Sequence, residues 1–231
     1  MISVIIPTLN EAGCLPRALR CLPDAANLEI IVVDGGSKDG TADVAERAGA
    51  RVLRSPPGRA LQMNAGAAAA RGSVLLFLHA DTCLPRGFFS AVEAEMQKPG
   101  VVAGAFRLRI DAPGWSHRII EAAAHIRSCV LQMPYGDQGI FIRKETFQEL
   151  DGFATLPIME DFDFITRLRR LGRIRIVHLS ATTSGRRWQA LGPWRTTWIN
   201  QKIVFGYCIG IPAQRLAQWY RRARRRPPQS A

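Results

Sequence analysis

An α/β fold with a mostly parallel central sheet, flanked by helices and followed by a C-terminal helical appendage, is what the sequence predicts. Short apolar runs alternate with helix-patterned segments through the first hundred residues, the rhythm of βαβ units. Two of those runs, Glu29-Ile30-Ile31-Val32-Val33-Asp34 and Val74-Leu75-Leu76-Phe77-Leu78-His79-Ala80-Asp81, end in a carboxylate. Open α/β sheets bind ligands at the carboxyl ends of their strands, so these acids mark the rim where chemistry is expected.

The elements follow in order. Ile2–Ile6 reads as a buried strand, and Pro7-Thr8-Leu9-Asn10-Glu11 as a turn opening a helix over Leu15–Leu22. A strand over Glu29–Val33 leads through Asp34-Gly35-Gly36-Ser37 into a helix over Thr41–Ala48. Arg51–Arg54 is a third strand, and the alanine-rich Ala60–Ala70 is a helix stopped by Gly72. Val74–Leu78 is unbroken apolar sequence, as expected of a strand covered on both faces. Pro85 begins a helix to about Gln97. Beyond Gly100 the pattern gives a strand over Val101–Ile110, a helix over Trp115–Leu131 and a strand over Gly139–Arg143. A helix over Asp161–Leu171 ended by Gly172, a strand over Arg173–Val177 and a Ser/Thr-rich loop come next. The division expected is a catalytic domain over 1–190 and a basic, amphipathic helical appendage over 191–231.

At 231 residues with 47% hydrophobic and 22% charged composition, the chain reads as globular. Its net charge of +12 favours anionic partners such as nucleotides, phosphates or an acidic membrane face. The cysteines at 14, 21, 83, 129 and 208 are scattered and form no Cys-x-x-Cys pair, so neither a disulfide framework nor a zinc site is expected. That usage, with an N-terminus that reads as a first strand, predicts a cytoplasmic protein. No apolar stretch approaches the roughly 20 residues needed to span a bilayer.

Several residue groups carry candidate chemistry, each with a plainer structural reading beside it. Asp34, followed by Gly35 and Gly36, is placed to meet a nucleoside; the same stretch also suits a glycine-rich turn capping the next helix. Asp81 is a candidate ligand for a divalent cation on a diphosphate, with His79 joining it for a softer ion. Their plainer roles are a helix cap and a core histidine. Glu160, Asp161 and Asp163 surround a helix start, where acids also complement the dipole. Asp161 is the candidate general base. Arg187 offers a phosphate fork and Trp188 a stacking face, unless they form a solvated turn. Arg59, ahead of Gln62 and Asn64, is a second candidate phosphate or base contact, with a surface helix start as its plainer reading.

Taken in order, Pro7-Thr8-Leu9-Asn10-Glu11, Val32-Val33-Asp34-Gly35-Gly36-Ser37-x-Asp39-Gly40-Thr41, Asn64-x-Gly66 and Leu78-His79-Ala80-Asp81-Thr82 resemble the family 2 glycosyltransferases of GT-A fold. Gly139-Ile140-Phe141-Ile142-Arg143-Lys144, Phe147-x-x-Leu150-Asp151-Gly152-Phe153 and Glu160-Asp161-Phe162-Asp163 resemble that family's second half. The resemblance covers about residues 1–190. It implies a nucleotide-sugar donor held by Pro7, Thr8, Asn10, Glu11, Asp34, Gly35, Arg59, Asn64 and Asp81, with Asp34 at the base. It implies a divalent cation, Mg2+ or Mn2+, on Asp81, and deprotonation of an acceptor hydroxyl by Asp161 with inversion at the anomeric carbon. Asp137, Glu160, Arg187 and Trp188 are expected on the acceptor and diphosphate side. The family's metal motif is usually Asp-x-Asp, whereas His79-Ala80-Asp81 keeps only the last acid.

Two other classes compete. A nucleotidyltransferase acting on sugar phosphates normally opens with a glycine- and arginine-rich phosphate loop, which Pro7–Glu11 lacks. A non-catalytic nucleic-acid binder is suggested by charge alone, without a recognisable module, so no nucleic-acid partner is expected. In the appendage, Trp194, Trp198, Phe205, Tyr207, Trp219 and Tyr220 interleave with Lys202, Arg215 and terminal arginines. That mixture suits peripheral contact with the inner face of an anionic membrane and a lipid-linked acceptor, or else a helix packed on the domain or on a dimer partner.

Overall fold

Successive side chains of a strand point to opposite faces, so an unbroken apolar run must be covered on both sides. The computed structural model, which describes residues 1–224, buries the first strands in this way. In β1 (Ile2–Thr8), Ile2, Val4 and Ile6 enter one apolar layer and Ile5 the other. β2 (Leu28–Asp34) sends Val32 to the first layer and Ile31 and Val33 to the second. β4 (Val74–Phe77) does the same with Leu76 against Leu75 and Phe77. α1 (Leu15–Arg20), α2 (Thr41–Arg47) and α4 (Phe88–Met96) cover the first layer. α3 (Arg59–Ala69), α6 (Lys144–Glu149) and α7 (Glu160–Leu168) cover the second. A Cβ on Gly66 would lie 2.4 Å from Ile5 Cγ2, so glycine is what lets α3 sit this close to the sheet.

With β3 (Arg51–Arg54), the strands run β3-β2-β1-β4 in parallel, as expected. The second half departs from that. β7 (Ile140–Arg143) lies antiparallel between β4 and β6 (Val101–Asp111). β8 (Arg173–Ser184) returns parallel to β6, and β5 (Thr82–Cys83) pairs antiparallel with β8 at the edge. The full order is β3-β2-β1-β4-β7-β6-β8-β5, a mixed eight-stranded sheet. The Ser/Thr-rich stretch expected as loop is the end of β8, paired from Arg107↔Ser180 to Asp111↔Ser184. β-branched threonines suit that pleated edge better than composition alone suggests. A short helix, α8 (Arg186–Leu191), follows in place of the expected turn.

Cys21 and Cys83 are joined in a disulfide, which corrects the expectation of none. Cys21 ends α1 and Cys83 lies on β5; the fold brings their Cα atoms to 5.5 Å across a separation of 62 residues, a proximity that spacing cannot reveal. Cysteine usage therefore no longer argues for a reducing compartment.

α5 (Trp115–Val130) lies on β6, and α9 (Pro193–Cys208) packs against α5, α8 and α10 (Ala213–Arg224). Met159, Ile203 and Leu216 share a small apolar cluster, and Tyr207 Oη donates to Asp163 Oδ1 at 3.1 Å. The appendage helices thus pack on the start of α7. Arg225 and Arg226, part of the expected basic end, lie outside the described residues. Among the described residues, no helix is long and apolar enough to cross a membrane.

Candidate active site

Four chain segments converge beyond the ends of β1 and β4. Directly after β4, His79-Ala80-Asp81 forms a tight turn closed by Thr82 N–H to His79 O at 3.1 Å, and Ser184 N–H bonds Asp81 O at 3.0 Å. The turn Gly136–Gln138 is fixed by Gln138, whose amide donates to Phe106 O and accepts from Arg127, Ser128 and the Tyr135 N–H. Met159 precedes α7 with φ at 71°, a left-handed conformation that a buried non-glycine residue adopts only when its surroundings hold it there. That turn presents Glu160 and Asp161. The fourth segment is α8, which carries Arg186 and Arg187.

Three cavities of about 130, 550 and 290 Å³ share walls formed by Arg59, His79 and Arg187. The 290 Å³ cavity reaches Pro7, Thr8, Glu11, Gln62 and Asp81. The 550 Å³ cavity holds Glu11, Asp81, Asp137 and Arg186, and the 130 Å³ cavity holds Tyr135, Asp137, Glu160 and Asp161. Residues as distant in sequence as Pro7 and Tyr220 therefore line one cleft.

Asp161 Oδ2 accepts the Gly136 N–H at 2.8 Å and Oδ1 accepts the Phe162 N–H at 2.8 Å. Each carboxylate oxygen has a second lone-pair direction, so these bonds orient the group without exhausting it. A Cβ on Gly136 would sit 3.0 Å from His79 Nε2 and 3.1 Å from Asp161 Oδ2. Both side chains therefore close in on this backbone position, where a Cβ would make them give way by a few tenths of an ångström. Burial, reinforced by the guanidinium groups of Arg59 and Arg187, holds the His79 imidazole well below its ordinary pKa, so it is neutral. Burial likewise raises the Asp137 carboxyl, with Arg127 and Arg187 opposing and the charges of Asp161 and Asp81 adding. Asp137 Oδ1 is buried without a hydrogen-bond partner among the described residues. Glu160 is buried against Arg59, Oε1 to Nη1 at 2.9 Å, and burial raises its carboxyl while that guanidinium opposes.

Arg186 reaches both Glu11 oxygens at 2.8 and 2.7 Å and Asp81 Oδ2 at 3.2 Å. A guanidinium held between two carboxylates shows that this spot stabilises positive charge. Among the described residues, no group of three or more His, Cys, Asp or Glu is placed to hold a metal ion. One or two protein carboxylates fit a cation that shares its shell with phosphate oxygens and water. The donor set therefore fits a diphosphate-borne cation.

Other expected residues have different neighbours. Asp34 is buried at the end of β2, and its Oδ2 accepts the Gly36 and Ser37 N–H groups at 3.0 Å each. That oxygen caps its own turn, while Oδ1 is buried without a hydrogen-bond partner among the described residues; neither Asp34 nor Gly35, whose N–H donates to Thr8 O at 2.9 Å, lines the three cavities. Asn64 is committed to the backbone of Phe153, donating at 2.8 Å and accepting at 3.0 Å, so it ties α3 to the 151–153 turn. Asn10 laces the same rim, accepting the Lys38 N–H at 2.9 Å. Trp188 is buried among Leu108, Ile110, Ala112 and Ala124 while contributing to the 550 Å³ cavity wall, so packing occupies most of the face expected to stack. Arg186, Gln62 and Gly136 complete the site. The Arg186-Arg187 pair was visible in sequence, but which of the two faces the acids was not. Gln62 bonds Thr8 O and Val33 O at 2.7 and 2.8 Å, bridging the ends of β1 and β2.

Residues 3–163 match the model of the family described as Glycosyl transferase family 2. An uncharacterized glycosyltransferase of Mycobacterium bovis is 37% identical over 98 residues, which cover 42% of this chain and 44% of that protein. The chain thus spans under half the length of the curated relatives it matches first. Glucosyl-3-phosphoglycerate synthase from Mycobacterium tuberculosis, solved with Mn2+, uridine diphosphate and glucosyl-3-phosphoglycerate, superposes with a TM-score of 0.64 at 24% identity, covering 92% of this chain and 81% of that one. A mannosyltransferase from Pyrobaculum calidifontis, solved with GDP-Man and Mn2+, superposes with a TM-score of 0.68 at 18% identity, covering 96% and 69%. At these identities the likeness establishes a shared GT-A type fold.

Proposed function

The chain belongs to glycosyl transferase family 2, and on that footing we propose that it moves a sugar from a nucleotide-diphosphate donor to an acceptor hydroxyl with inversion. The observation that carries this reading is the single cleft that brings Asp81 and Asp161 to opposite ends of walls shared by Arg59, His79 and Arg187. The donor enters over Pro7, Thr8 and Glu11, and its diphosphate lies between Asp81 and the guanidinium groups of Arg186 and Arg187. Asp34 shapes the base pocket by holding its turn. Asp81, joined by Glu11 or His79, would hold Mg2+ or Mn2+, which when bound neutralises charge on the diphosphate.

Asp161 takes the proton from the acceptor hydroxyl. The freed oxygen pair forms the bond to the anomeric carbon as the carbon–oxygen bond to the diphosphate breaks, and the leaving group departs with that electron pair. Displacement from the face opposite the diphosphate inverts the centre. The arginines meet charge where it develops, usually the largest catalytic contribution. Asp137, with its raised carboxyl, binds the acceptor beside Asp161. We extend the reading to a lipid-linked acceptor met in peripheral contact with the inner face of a cytoplasmic membrane.

Thermal unfolding with a panel of nucleoside diphosphates, with and without Mn2+, tests the donor site. A ligand at 100 Kd stabilises the native state by about 2.7 kcal/mol, a shift of roughly 5–10 °C for a chain of this size. Asp81→Ala is expected to remove the Mn2+-dependent part of that shift. No shift with any nucleotide overturns the reading.

A further inference from the structure

Beyond the active site, the most unusual surface is the outer side of α5. Its exposed positions, from Trp115 through Ile119, Ala122, Ala123 and Ile126 to Val130, carry no charge at all. Trp115 is 69% and Val130 72% exposed. A helix packed on a domain normally turns charged and polar residues outward. α9 carries an apolar stripe at the same spacing, Trp194, Trp198 and Phe205 with Ile209 just past its end, interrupted by exposed Gln201 and flanked by exposed Arg195 and Lys202. The two helices touch, and the Trp115 and Trp194 rings stand 5.9 Å apart, so the two apolar stripes meet. Large apolar side chains exposed side by side on two touching helices are a candidate docking surface.

We infer that the joined outer faces of α5 and α9 dock the protein on an anionic lipid bilayer surface. This deepens the proposed function by naming the surface that meets the membrane, and it rests on that reading only for the lipid-linked acceptor. Three features select a bilayer. Tryptophans lead both stripes, and their amphipathic rings favour the headgroup level. Lys202 Nζ lies 5.2 Å over the Trp198 ring, and Arg195 is exposed beside Trp194; basic heads interleaved with aromatic bodies suit the interface. The net charge of +12 complements anionic headgroups. A symmetric pairing of two copies would instead confine both sets of Arg195 and Lys202 within one apolar contact. The geometry also serves the chemistry. The inner side of α9, at Asn200, Ile203 and Val204, walls the cavity containing Asp161. Docking the outer side places that cavity about one helix diameter, roughly 10–12 Å, from the lipid.

Flotation of the full-length chain with vesicles of phosphatidylcholine alone, or mixed with phosphatidylglycerol, tests the surface. The chain is expected to float with the anionic vesicles. Ile126→Glu and Trp198→Glu, both at exposed positions, are each expected to lower binding at least about tenfold. Lys202→Glu is expected to lower it about fivefold on anionic vesicles. Circular dichroism checks folding, and nucleotide-induced stabilisation reads the donor site separately. Lost flotation in the variants with that stabilisation intact supports the surface. Failure of the wild-type chain to float, or flotation indifferent to both glutamates, overturns the surface while leaving the transferase reading to its own test. A dimer broken by Trp198→Glu without vesicle binding overturns it in favour of a second copy.

Discussion

Replacing Asp161 with asparagine changes one atom pair and has two separable consequences. In the native site both carboxylate oxygens accept backbone N–H groups, from Gly136 and Phe162, each at 2.8 Å. An asparagine side chain has one oxygen and one NH2 group, so whichever way it turns, one backbone N–H faces a donor. Leaving a donor unpaired costs about 1–3 kcal/mol, which for a chain of this length lowers the unfolding midpoint by roughly 2–12 °C. The second consequence is kinetic. The amide cannot accept the acceptor's proton, and loss of a general base typically costs about 10²–10⁴-fold in rate. Nucleotide binding should survive, because the Asp81 end of the cleft is untouched. The assay is release of nucleoside diphosphate under saturating donor, measured well below both unfolding midpoints so that the stability loss does not enter. Turnover within about threefold of wild type under those conditions would refute the role of Asp161. A lower midpoint alone would leave it a structural residue.

Two further predictions concern charge at the other end of the cleft. Arg186→Met leaves Glu11 and Asp81 without the guanidinium between them, so Mn2+ binding in the absence of nucleotide should tighten about ten- to a hundredfold, the scale of charge-assisted hydrogen bonds worth roughly 1.5–3 kcal/mol. Electron paramagnetic resonance of free Mn2+ reads this directly, and unchanged affinity would show that the arginine does not compete for the site. His79 gives a pH signature. Its folded pKa lies below the unfolded value near 6.5, so the unfolded chain binds the proton first and its contribution is complete only above that pH. Stability should fall as pH drops below about 6.5, by up to ~1.4 kcal/mol per pH unit. His79→Gln should flatten that limb of a urea-unfolding profile; an unaltered slope would assign it to other groups.

The parallel half of the fold was legible because its strands are buried on both faces and punctuated by glycine turns, so composition and period agree. The second half was less so. β7 reverses between β4 and β6, and no local signal distinguishes an antiparallel strand buried on both sides from a parallel one. The Cys21–Cys83 bond depends on where β5 lands, which is a property of the whole sheet. In the site, the acids at 81 and 161 were readable from their positions after a strand and at a helix start. The commitment of Asn64 to the Phe153 backbone was not, because a side chain that hydrogen-bonds its own scaffold has the same composition as one that binds a ligand.

That difference explains how the cleft is organised. Residues whose side-chain amides are committed to backbone, Asn64 and Gln62, sit where β1, β2, α3 and the 151–153 turn must be held in register. Groups with capacity to spare lie inside the rim they build. Asp137 has a buried oxygen without a partner, Asp161 keeps open lone pairs, and His79 is held neutral between two arginines. Burying unpaired polar capacity is unfavourable unless a ligand or water later satisfies it. A cleft whose lining keeps such capacity is therefore built to be completed by a bound molecule or water. On the proposed reading, that molecule brings its cation-borne diphosphate to the Asp81 end and a hydroxyl to the Asp161 end.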